Sequence, residues 1–457
     1  MVFKLYDYQQ EIVDQIFQTF KNGKKSLVVS SPPGSGKTVI FSEIAKRTTN
    51  KNNRVLVFSH RKEINQQIEK SFIKNDVDMQ LVQIGSVQSF SRNLKRLYPP
   101  KLIIVDEAHR AVSNSYIKIL DHYPNAYKLL FTATPIRLDG KGFNNVAQGM
   151  IKGKTVRWLI EHQHLASYKY FAPLQIDLEQ LKKGSNGEYQ KNSICQSYTK
   201  KIYGNVVRNY QDIANGTQAF LYAYNVESAK KFADEFNRAG IPAASVDGKT
   251  PEDKREEIIQ AFRSGKIKVI TNAEIFLEGF DAPSVQTVIQ VRPTTSLAMF
   301  IQFSMRSMRY QPNKTATIID CVNNVGNFGL PDEEHDWKLV GKKLKYEIKN
   351  PIKTCPYCFA TFYAKDVKNN CCPICGEELK IEQKNEGPAY QTVDTKLVEI
   401  SHNRLTAALA EVKENIKRNL PEDWRQAKSI DQLYQIAEVK GYKPGWAYIK
   451  GKEMHLI

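Results

Sequence analysis

A glycine-containing loop near the amino terminus carries the residue types that bind phosphate. The sequence Ser-Pro-Pro-Gly-Ser-Gly-Lys-Thr spans residues 31–38, after the apolar run 26–30 and before a segment with helical spacing. Glycines let backbone amides surround an oxyanion, and the start of a helix adds the positive end of its dipole. A lysine here can reach the outer phosphates, and a threonine hydroxyl can ligate Mg²⁺. An ordinary surface turn before a helix is the alternative. The pattern favours phosphate binding by Gly34, Ser35, Gly36, Lys37 and Thr38.

Two adjacent acids follow another apolar run in the same part of the chain. Asp106 and Glu107 come directly after residues 101–105. Side chains alternate across a strand, so neighbouring acids at its end can take different tasks. We predict that Asp106 holds Mg²⁺ together with Thr38, and that Glu107 orients and deprotonates an attacking water. An acidic strand end without chemistry is the alternative, but it leaves the phosphate loop in the same sheet unexplained.

Five of the seven cysteines lie between residues 355 and 375. Two Cys-x-x-Cys pairs, Cys355 with Cys358 and Cys372 with Cys375, have the spacing of a zinc ribbon with four cysteine ligands. Cys371 is an alternative to Cys372. Four protein ligands leave no open position, so we expect a structural Zn²⁺. Clustered cysteines of this kind also indicate a reducing compartment rather than a disulfide framework.

Composition limits the class of protein. The chain has 457 residues, 41% of them hydrophobic, which is enough for about three domains with sizeable cores. Its net charge of +18 favours a polyanionic partner, most simply nucleic acid, although a basic surface without a partner is the alternative. No apolar run approaches the roughly 20 residues that span a bilayer, and the start of the chain lacks a signal-peptide core. We therefore expect a cytoplasmic protein without membrane partners.

Alternating strand-like and helical segments must position these residues. Continuous apolar runs separated by helical patterns predict an α/β fold with parallel sheets, whose ligands lie at the carboxyl ends of the strands. A second block of the same kind begins near residue 219. The aromatic run 168–171 is interpreted as a strand, with base stacking as the alternative. The predicted regions are two α/β domains at 1–140 and 141–335, a zinc ribbon at 350–382 and a helical basic tail at 395–457. The lysine-rich connector 338–353 either grips DNA without sequence preference or is a solvated linker.

Taken in order, the motifs resemble those of superfamily 2 helicases. The matching residues are Gln9, the phosphate loop, 106–109, 132–134, 279–281, and Gln302 with Arg306 and Arg309. The chain looks like the RadD-type DNA-repair helicases and related phage DNA helicases, and less closely like the motor subunits of type III restriction enzymes. The resemblance covers roughly residues 5–322 and continues into the cysteine cluster.

This resemblance implies two RecA-like domains with ATP bound in the cleft between them. Gln9 would contact the base edge, and Gly279 and Asp281 would approach the nucleotide from the second domain. Arg306 and Arg309 would be arginine fingers, with Gln302 beside them on one face of a helix. The resemblance also implies coupling residues His109, Thr132 and Thr134, and DNA-phosphate contacts by Arg61, Ser86 and Gln88.

The sequence departs from the family pattern at two positions. The family usually has a basic residue at the position of Tyr6 and a glycine at the position of Met305. Methionine is tolerated in helices and packs adaptably, so Met305 either fills space between the domains or holds the arginines away from the nucleotide. Because both arginines are present, we favour an active enzyme.

The expected function is an ATP-dependent DNA helicase or translocase in replication, recombination or repair, with ATP, Mg²⁺ and Zn²⁺ as cofactors. One alternative is a duplex or branched-DNA remodelling ATPase without processive unwinding. The other is a catalytically weak, nucleotide-gated DNA-binding adaptor. Single-strand-binding or recombination proteins are candidate partners besides DNA itself.

Overall fold

A computed structural model describes most of the amino-terminal three quarters of the chain and parts of the remainder. The described residues are 3–59, 62–108, 114–135, 142–173, 201–203, 205–273, 283–294, 296–335, 337–339, 352–354, 361–363, 366–367, 371–377, 391–393, 396–402, 423–427, 433, 436 and 444–454. Within these ranges, no helix combines the length and the apolar character that crossing a bilayer requires.

The first sheet has six parallel strands in the order β3-β2-β4-β5-β1-β6. Its strands are β1 (Ser26–Ser30), β2 (Val55–Ser59), β3 (Val82–Ser86), β4 (Leu102–Val105), β5 (Tyr127–Thr132) and β6 (Gly149–Lys152). The helices of this region are α1 (Asp7–Lys21), α2 (Lys37–Thr49), α3 (Lys62–Lys74), α4 (Val87–Arg92), α5 (Asn114–His122) and α6 (Val156–Glu161).

Alternate residues of each central strand enter two different cores. Leu27 and Val29 of β1 belong to the cluster that includes residues of α1, α2 and α3, whereas Val28 belongs to the cluster with α4 and α5. All three side chains are fully buried. Helices therefore cover both faces of the sheet, which explains why its strands are continuously apolar.

The second sheet has seven strands in the order β10-β11-β9-β12-β13-β7-β17. They are β7 (Ser167–Pro173), β9 (Ala219–Tyr222), β10 (Ala243–Val246), β11 (Val269–Asn272), β12 (Thr287–Gln290), β13 (Thr315–Asp320) and β17 (Leu397–Ile400). All neighbours pair in parallel except β17, which runs antiparallel to β7. The associated helices are α7 (Val206–Ala214), α8 (Val226–Arg238), α9 (Glu252–Arg263), α10 (Leu297–Ser304) and α11 (Asn324–Phe328).

Short elements complete the described structure. Two-stranded sheets pair β14 (Ile352–Thr354) with β15 (Thr361–Tyr363), and β8 (Lys201–Tyr203) with β16 (Gln391–Val393). A final helix, α12, spans Pro444–Glu453. The predicted α/β class with two parallel sheets is confirmed, and the aromatic run 168–171 lies within β7 as a packed strand.

Two boundaries differ from the prediction. The first sheet does not end at residue 140, because β6 pairs with β1 along its whole length. The segment from 395 was predicted to be helical, which is wrong at 397–400, because these residues form the edge strand β17 of the second sheet. The second sheet thus gains a strand that follows the cysteine cluster in the chain, a long-range pairing without a local sequence signal.

Candidate functional site

Three neighbouring strands of the first sheet place the residues that were predicted to bind ATP at one edge. Parallel pairing aligns Ser30 of β1 with Thr132 of β5, and β4 lies directly beside β5. The phosphate loop follows β1, and Asp106 follows β4. The carboxyl ends of parallel strands share an edge, so the fold brings these motifs together as predicted.

The phosphate loop has the backbone shape that anion binding requires. Gly34 and Gly36 have φ values of 85° and 80°, in the left-handed region that glycine adopts without strain. Gly36 is the residue before α2, so the amino end of a thirteen-residue helix faces the loop. Lys37 Nζ donates to the carbonyl oxygens of Ser31 at 3.1 Å and Pro32 at 3.4 Å, which holds its ammonium group within the loop.

Serine hydroxyls fix the loop from inside. The hydroxyl oxygens of Ser31 and Ser35 are 2.6 Å apart, and Ser35 Oγ also donates to Pro32 O at 2.7 Å. Both serines are almost completely buried. Ser31, which stands where the usual pattern has a glycine, is therefore part of the loop's internal bonding.

The two acids have different environments. Asp106 is buried, and its Oδ1 accepts a hydrogen bond of 2.9 Å from the Glu107 amide. Glu107 is only partly buried and has a φ of 50°, a left-handed conformation that non-glycine residues adopt rarely. The chain thus turns sharply after β4, at Glu107.

Thr132 and Thr134 form a compact turn after β5. Thr132 Oγ1 donates to Thr134 O at 3.0 Å and accepts from Thr134 N at 3.1 Å. Both residues are buried, and Thr134 Oγ1 has no hydrogen-bond partner among the described residues. A buried hydroxyl with unused capacity is suited to a bond that forms in only one state of a cycle.

Gln9 lies against the phosphate loop. The side chain is buried, and its Nε2 donates to the Ser35 carbonyl at 3.2 Å. A β-carbon built on Gly36 would lie 2.3 Å from this nitrogen, so a larger residue here would displace the Gln9 amide from its present position. Tyr8 adds a second bond from its hydroxyl to Ser35 O at 2.8 Å. Burial raises the pKa of Tyr8 to about 12, so the phenol stays protonated and donates.

Arg309, which follows the second-sheet helix α10, reaches the phosphate loop. A β-carbon on Gly34 would lie 2.8 Å from Leu165 Cδ2, 3.7 Å from Arg309 Cδ and 3.9 Å from Arg309 Nη1. Leu165 and Arg309 form an antiparallel β-bridge, and Ala166 N donates to Met308 O at 2.9 Å. The segment that connects the two sheets therefore carries Arg309 across to the loop.

Arg306 has a different neighbour. Tyr222, at the end of β9, is 1% exposed, and its ring stacks on Phe303 at 4.3 Å. Burial raises the pKa of Tyr222, while a hydrogen bond from the Arg306 side chain acts in the opposite direction. Arg306 is thus anchored to the second sheet, whereas Arg309 contacts the first domain.

The prediction that Arg306 and Arg309 share one face of a helix is wrong. Helix α10 ends at Ser304, and residues 305–308 form turns. Gln302 is within the helix and buried, and its Nε2 has no hydrogen-bond partner in the described part of the chain. Met305 caps the helix and is 1% exposed, in a core cluster with residues of both sheets. The methionine therefore packs between the domains.

Of the three residues predicted to contact DNA phosphates, Ser86 has a local structural role. Ser86 Oγ accepts from Ser89 N at 3.2 Å, which caps the start of α4. Gln88 is exposed on that helix. Arg61 lies outside the described residues, as do His109, Gly279 and Asp281.

One of the two Cys-x-x-Cys pairs, Cys372 with Cys375, lies within the described residues. Ile374 N donates to Cys372 Sγ at 3.4 Å, and Gly376 N donates to Cys372 O at 2.9 Å. Cys372 is buried and Cys375 is exposed. Cys355 and Cys358 lie outside the described residues, and the described ranges contain no group of three or more His, Cys, Asp or Glu that could hold a metal.

Sequence reasoning missed Tyr8, Leu165 and Tyr222. Tyr8 directly precedes Gln9 in the chain, so its position was available as a signal. Leu165 and Tyr222 act through tertiary contacts with Gly34 and Arg306, for which the sequence has no motif.

Comparison with known proteins agrees with this geometry. Residues 2–137 match the family described as "Type III restriction enzyme, res subunit", and residues 201–311 match "Helicase conserved C-terminal domain". A "51.5 kDa protein" of a Lactococcus phage is 41% identical over 90% of this chain and 88% of its own length. The chain belongs to superfamily 2 of the helicases. Membership of this superfamily implies ATP with Mg²⁺ as cofactors.

More distant relatives carry helicase names. "Putative ATP-dependent helicase IRC3" of Saccharomyces cerevisiae is 27% identical over 72% of this chain, which spans about half (53%) of that protein. The solved structure "ATP-dependent Type ISP restriction-modification enzyme LlaBIII bound to DNA" superposes with a TM-score of 0.51 at 16% identity, over 70% of this chain and 28% of that one. This likeness shows a shared fold.

Proposed function

We propose that this superfamily 2 helicase hydrolyses ATP between its two sheets and uses the cycle to move on or unwind DNA. The observation that carries the proposal is the position of Arg309 beside Gly34, because it brings a cation of one domain next to the phosphate loop of the other. Hydrolysis at such a divided site changes how the domains fit together. The net charge of +18 supports a nucleic-acid track.

Each site residue has one task in this proposal. ATP with Mg²⁺ supplies the phosphoryl group that is transferred to water. Lys37 and the loop amides hold the phosphates, and Thr38 with Asp106 would hold the metal. Glu107 accepts the proton of the attacking water, and Arg309 stabilises charge that grows on the transferred group.

Gln302, Arg306 and the threonine turn connect this chemistry to the second domain. The unused hydroxyl of Thr134 and the unused amide of Gln302 are the groups that we expect to change partners during the cycle. Arg61, Ser86 and Gln88 are proposed DNA-phosphate contacts, with His109 as a coupling residue and Gly279 and Asp281 facing the nucleotide. Phosphate contacts do not select sequence.

The first test is steady-state ATPase activity of the full chain without nucleic acid and with single-stranded DNA, duplex DNA or RNA. We expect strong stimulation by DNA that is lost in Glu107→Gln, which also controls for contaminating enzymes. Tight DNA binding with no turnover above that control would contradict the motor and support the adaptor. A strand-displacement assay then separates unwinding from remodelling of duplex or branched DNA.

Roles in replication, recombination or repair belong to the same proposal. The helicase names of the relatives support a task in nucleic-acid metabolism. Pull-down of single-strand-binding protein by the full chain tests the expected partner class, and absence of any enrichment over a charge-matched protein would contradict it.

We also propose that Cys355, Cys358, Cys372 and Cys375 hold a structural Zn²⁺. The turn at Cys372 supports this, since the amide hydrogen bond from Ile374 to the Cys372 sulfur orients the side chain and stabilises a thiolate. Metal analysis should find one zinc per chain, lost in Cys372→Ser and kept in Cys371→Ser. The opposite pattern would make Cys371 the ligand, and a metal-free wild type would contradict the site.

A further inference from the structure

Lys314 is a lysine whose side chain is buried in the second domain. It directly precedes β13 and is 7% exposed. Lysine is almost never buried unless its ammonium group is paired. Among the described residues no carboxylate forms an ion pair with it, and its Nζ donates instead to Pro283 O at 2.7 Å and to Arg309 O at 3.1 Å. One buried cation thus holds the backbone carbonyls of two separate segments.

This arrangement has a cost for the charged form of the lysine. Burial, together with the nearby charge of Arg309, lowers the pKa of Lys314 to about 8. The group is therefore still an ammonium at pH 7, and its two hydrogen bonds are charge-assisted. An apolar side chain of similar length would fill the same space without the cost of burying a charge. The lysine is therefore explained by the two bonds that it makes and not by packing.

The two carbonyls belong to the segments of the second domain that were predicted to reach ATP. Pro283 comes two residues after Asp281, at the end of the motif that begins at Gly279. Arg309 is the arginine whose side chain lies beside Gly34 of the phosphate loop. The ammonium group of Lys314 therefore joins these two segments at their backbones.

The backbone of Arg309 is held by two independent contacts. It forms an antiparallel bridge with Leu165, which belongs to the segment that connects the two sheets. The other contact comes from within the second domain, where a turn closed by the bond from Lys314 N to Gln311 O, at 3.2 Å, brings Lys314 back to the Arg309 carbonyl. Lys314 therefore anchors the residue that faces the phosphate loop to its own domain.

We propose that Lys314 is a positioning residue for ATP hydrolysis, whose ammonium group ties the backbone of Arg309 to the segment after Asp281, so that both approach the nucleotide as one unit. This inference rests on the proposed nucleotide site. Lys314 acts through Arg309 and does not touch the nucleotide. Placement matters because a displacement of about 1 Å at a reacting centre can cost on the order of a hundredfold in rate.

The first experiment replaces Lys314 with methionine, which has similar length but no N–H donor. For ATP hydrolysis by the full chain, Lys314→Met should lower kcat by about tenfold or more and change KM for ATP by less than about threefold. The reason is that Arg309 acts on charge that grows in the transition state, so its displacement affects turnover more than binding. A kcat within about twofold of the wild type would overturn the inference.

Lys128→Met is the matched control. Lys128 is a half-buried lysine of β5, and burial lowers its pKa as well. It pairs with Ser26 at the start of β1, whereas the phosphate loop follows the other end of that strand. This control should leave both kcat and KM unchanged.

A double-mutant cycle tests whether Lys314 acts through Arg309. In an Arg309→Ala background, Lys314→Met should lower kcat by less than about twofold further, because no arginine is left to position. The same tenfold loss in both backgrounds would show a general structural role and overturn the inference. Thermal unfolding is measured alongside, and Lys314→Gln, which keeps an amide donor, replaces Lys314→Met in the cycle if the methionine variant does not fold.

Backbone hydrogen exchange keeps this inference separate from the motor. Peptides that cover residues 305–311 should exchange faster in Lys314→Met than in the wild type, while peptides of the first sheet stay the same. Faster exchange there, in a protein whose wild type does not hydrolyse ATP, would support the tether and contradict the proposed ATPase. Wild-type hydrolysis that Lys314→Met leaves unchanged would support the ATPase and overturn the inference. Unchanged exchange together with an inactive wild type would overturn both.

Discussion

The carboxyl edges of the two sheets are built alike but bonded differently. In the first edge, β1 and β4 lead into the phosphate loop and the two acids, whose backbone turns carry positive φ at Gly34, Gly36 and Glu107. In the second edge, β12 and β13 end in Gln290 and Asp320, which are fully buried. The first edge therefore presents backbone groups and carboxylates to a ligand, whereas the side chains that end β12 and β13 are buried in the second domain.

The second edge satisfies its polar groups internally. Asp320 accepts from Tyr170 Oη at 2.8 Å, Val325 N at 2.9 Å and Val322 N at 3.1 Å. Gln290 donates to Ser304 Oγ at 3.0 Å and accepts from Asn324 Nδ2 at 2.9 Å. This network lies beneath α10 and therefore positions the segment that carries Arg309. The first edge therefore supplies the residues of the proposed nucleotide site, and the second edge positions the segment that carries Arg309.

The largest effect on turnover should come from Arg309, which lies beside Gly34 of the first edge. Arg309→Ala should lower kcat by about a thousandfold or more, since an arginine at a transferring phosphoryl group contributes on that scale. Nucleotide binding should change much less, and Arg238→Ala on an exposed helix end is the control. Equal loss in both variants, or retained kcat in Arg309→Ala, would contradict a direct role.

Replacing Glu107, the proposed proton acceptor of the first edge, should slow turnover strongly without unfolding the domain. Glu107→Gln should reduce kcat by about a hundredfold or more at unchanged Tm, because general-base catalysis has that magnitude. Single-turnover ATP hydrolysis measures the chemical step directly. If kcat stays within a factor of two, another group deprotonates the water.

The same kind of change in the second edge should destabilise the fold instead. Asp320→Ala leaves Tyr170 and two buried amides without an acceptor, which should cost about 3 kcal/mol or more of unfolding free energy. Chemical denaturation measures the loss. Asp212→Ala, at an exposed helical position, should change stability by less than about 0.5 kcal/mol. An Asp320 variant as stable as this control would show that the network is dispensable.

The smallest expected effect is on stability, through an ion pair next to β17, the edge strand of the second sheet. Asp332 accepts from His402 Nε2 at 2.9 Å, just after β17, and also from Tyr168. This hydrogen bond to Asp332 raises the pKa of His402. Burial alone would raise the pKa of Asp332, but the bonds from His402 and Tyr168 lower it.

The sign of the pH dependence follows from these shifts. The charged pair stabilises the fold above the usual carboxyl pKa and below about pH 6.5, the usual histidine pKa, and its contribution is lost as pH rises through the raised pKa of His402. The Tm difference between the wild type and His402→Gln should therefore shrink from pH 6 to pH 9. Because His402 is partly exposed, we expect about 1 kcal/mol or less. A difference independent of pH would contradict an ionic contribution.

Local patterns were sufficient for the parts of the site that lie within single segments. The glycines and Lys37 of the phosphate loop and the strand before Asp106 were readable, because each depends on neighbouring residues and on the period of the flanking strand and helix. The helical arrangement of Arg306 and Arg309 was wrong, since the spacing of two residues does not reveal where α10 ends.

The sequence by itself determined the α/β class, the phosphate loop and the order of the helicase motifs, because these are encoded by short-range periodicity and residue type. Tertiary structure alone decided that Arg309 lies beside Gly34, that the Arg306 side chain is hydrogen-bonded to Tyr222, and that β17 pairs with β7 in the second sheet. Such contacts join residues far apart in the chain. Their partners are selected by the packing of whole sheets, which no local pattern records.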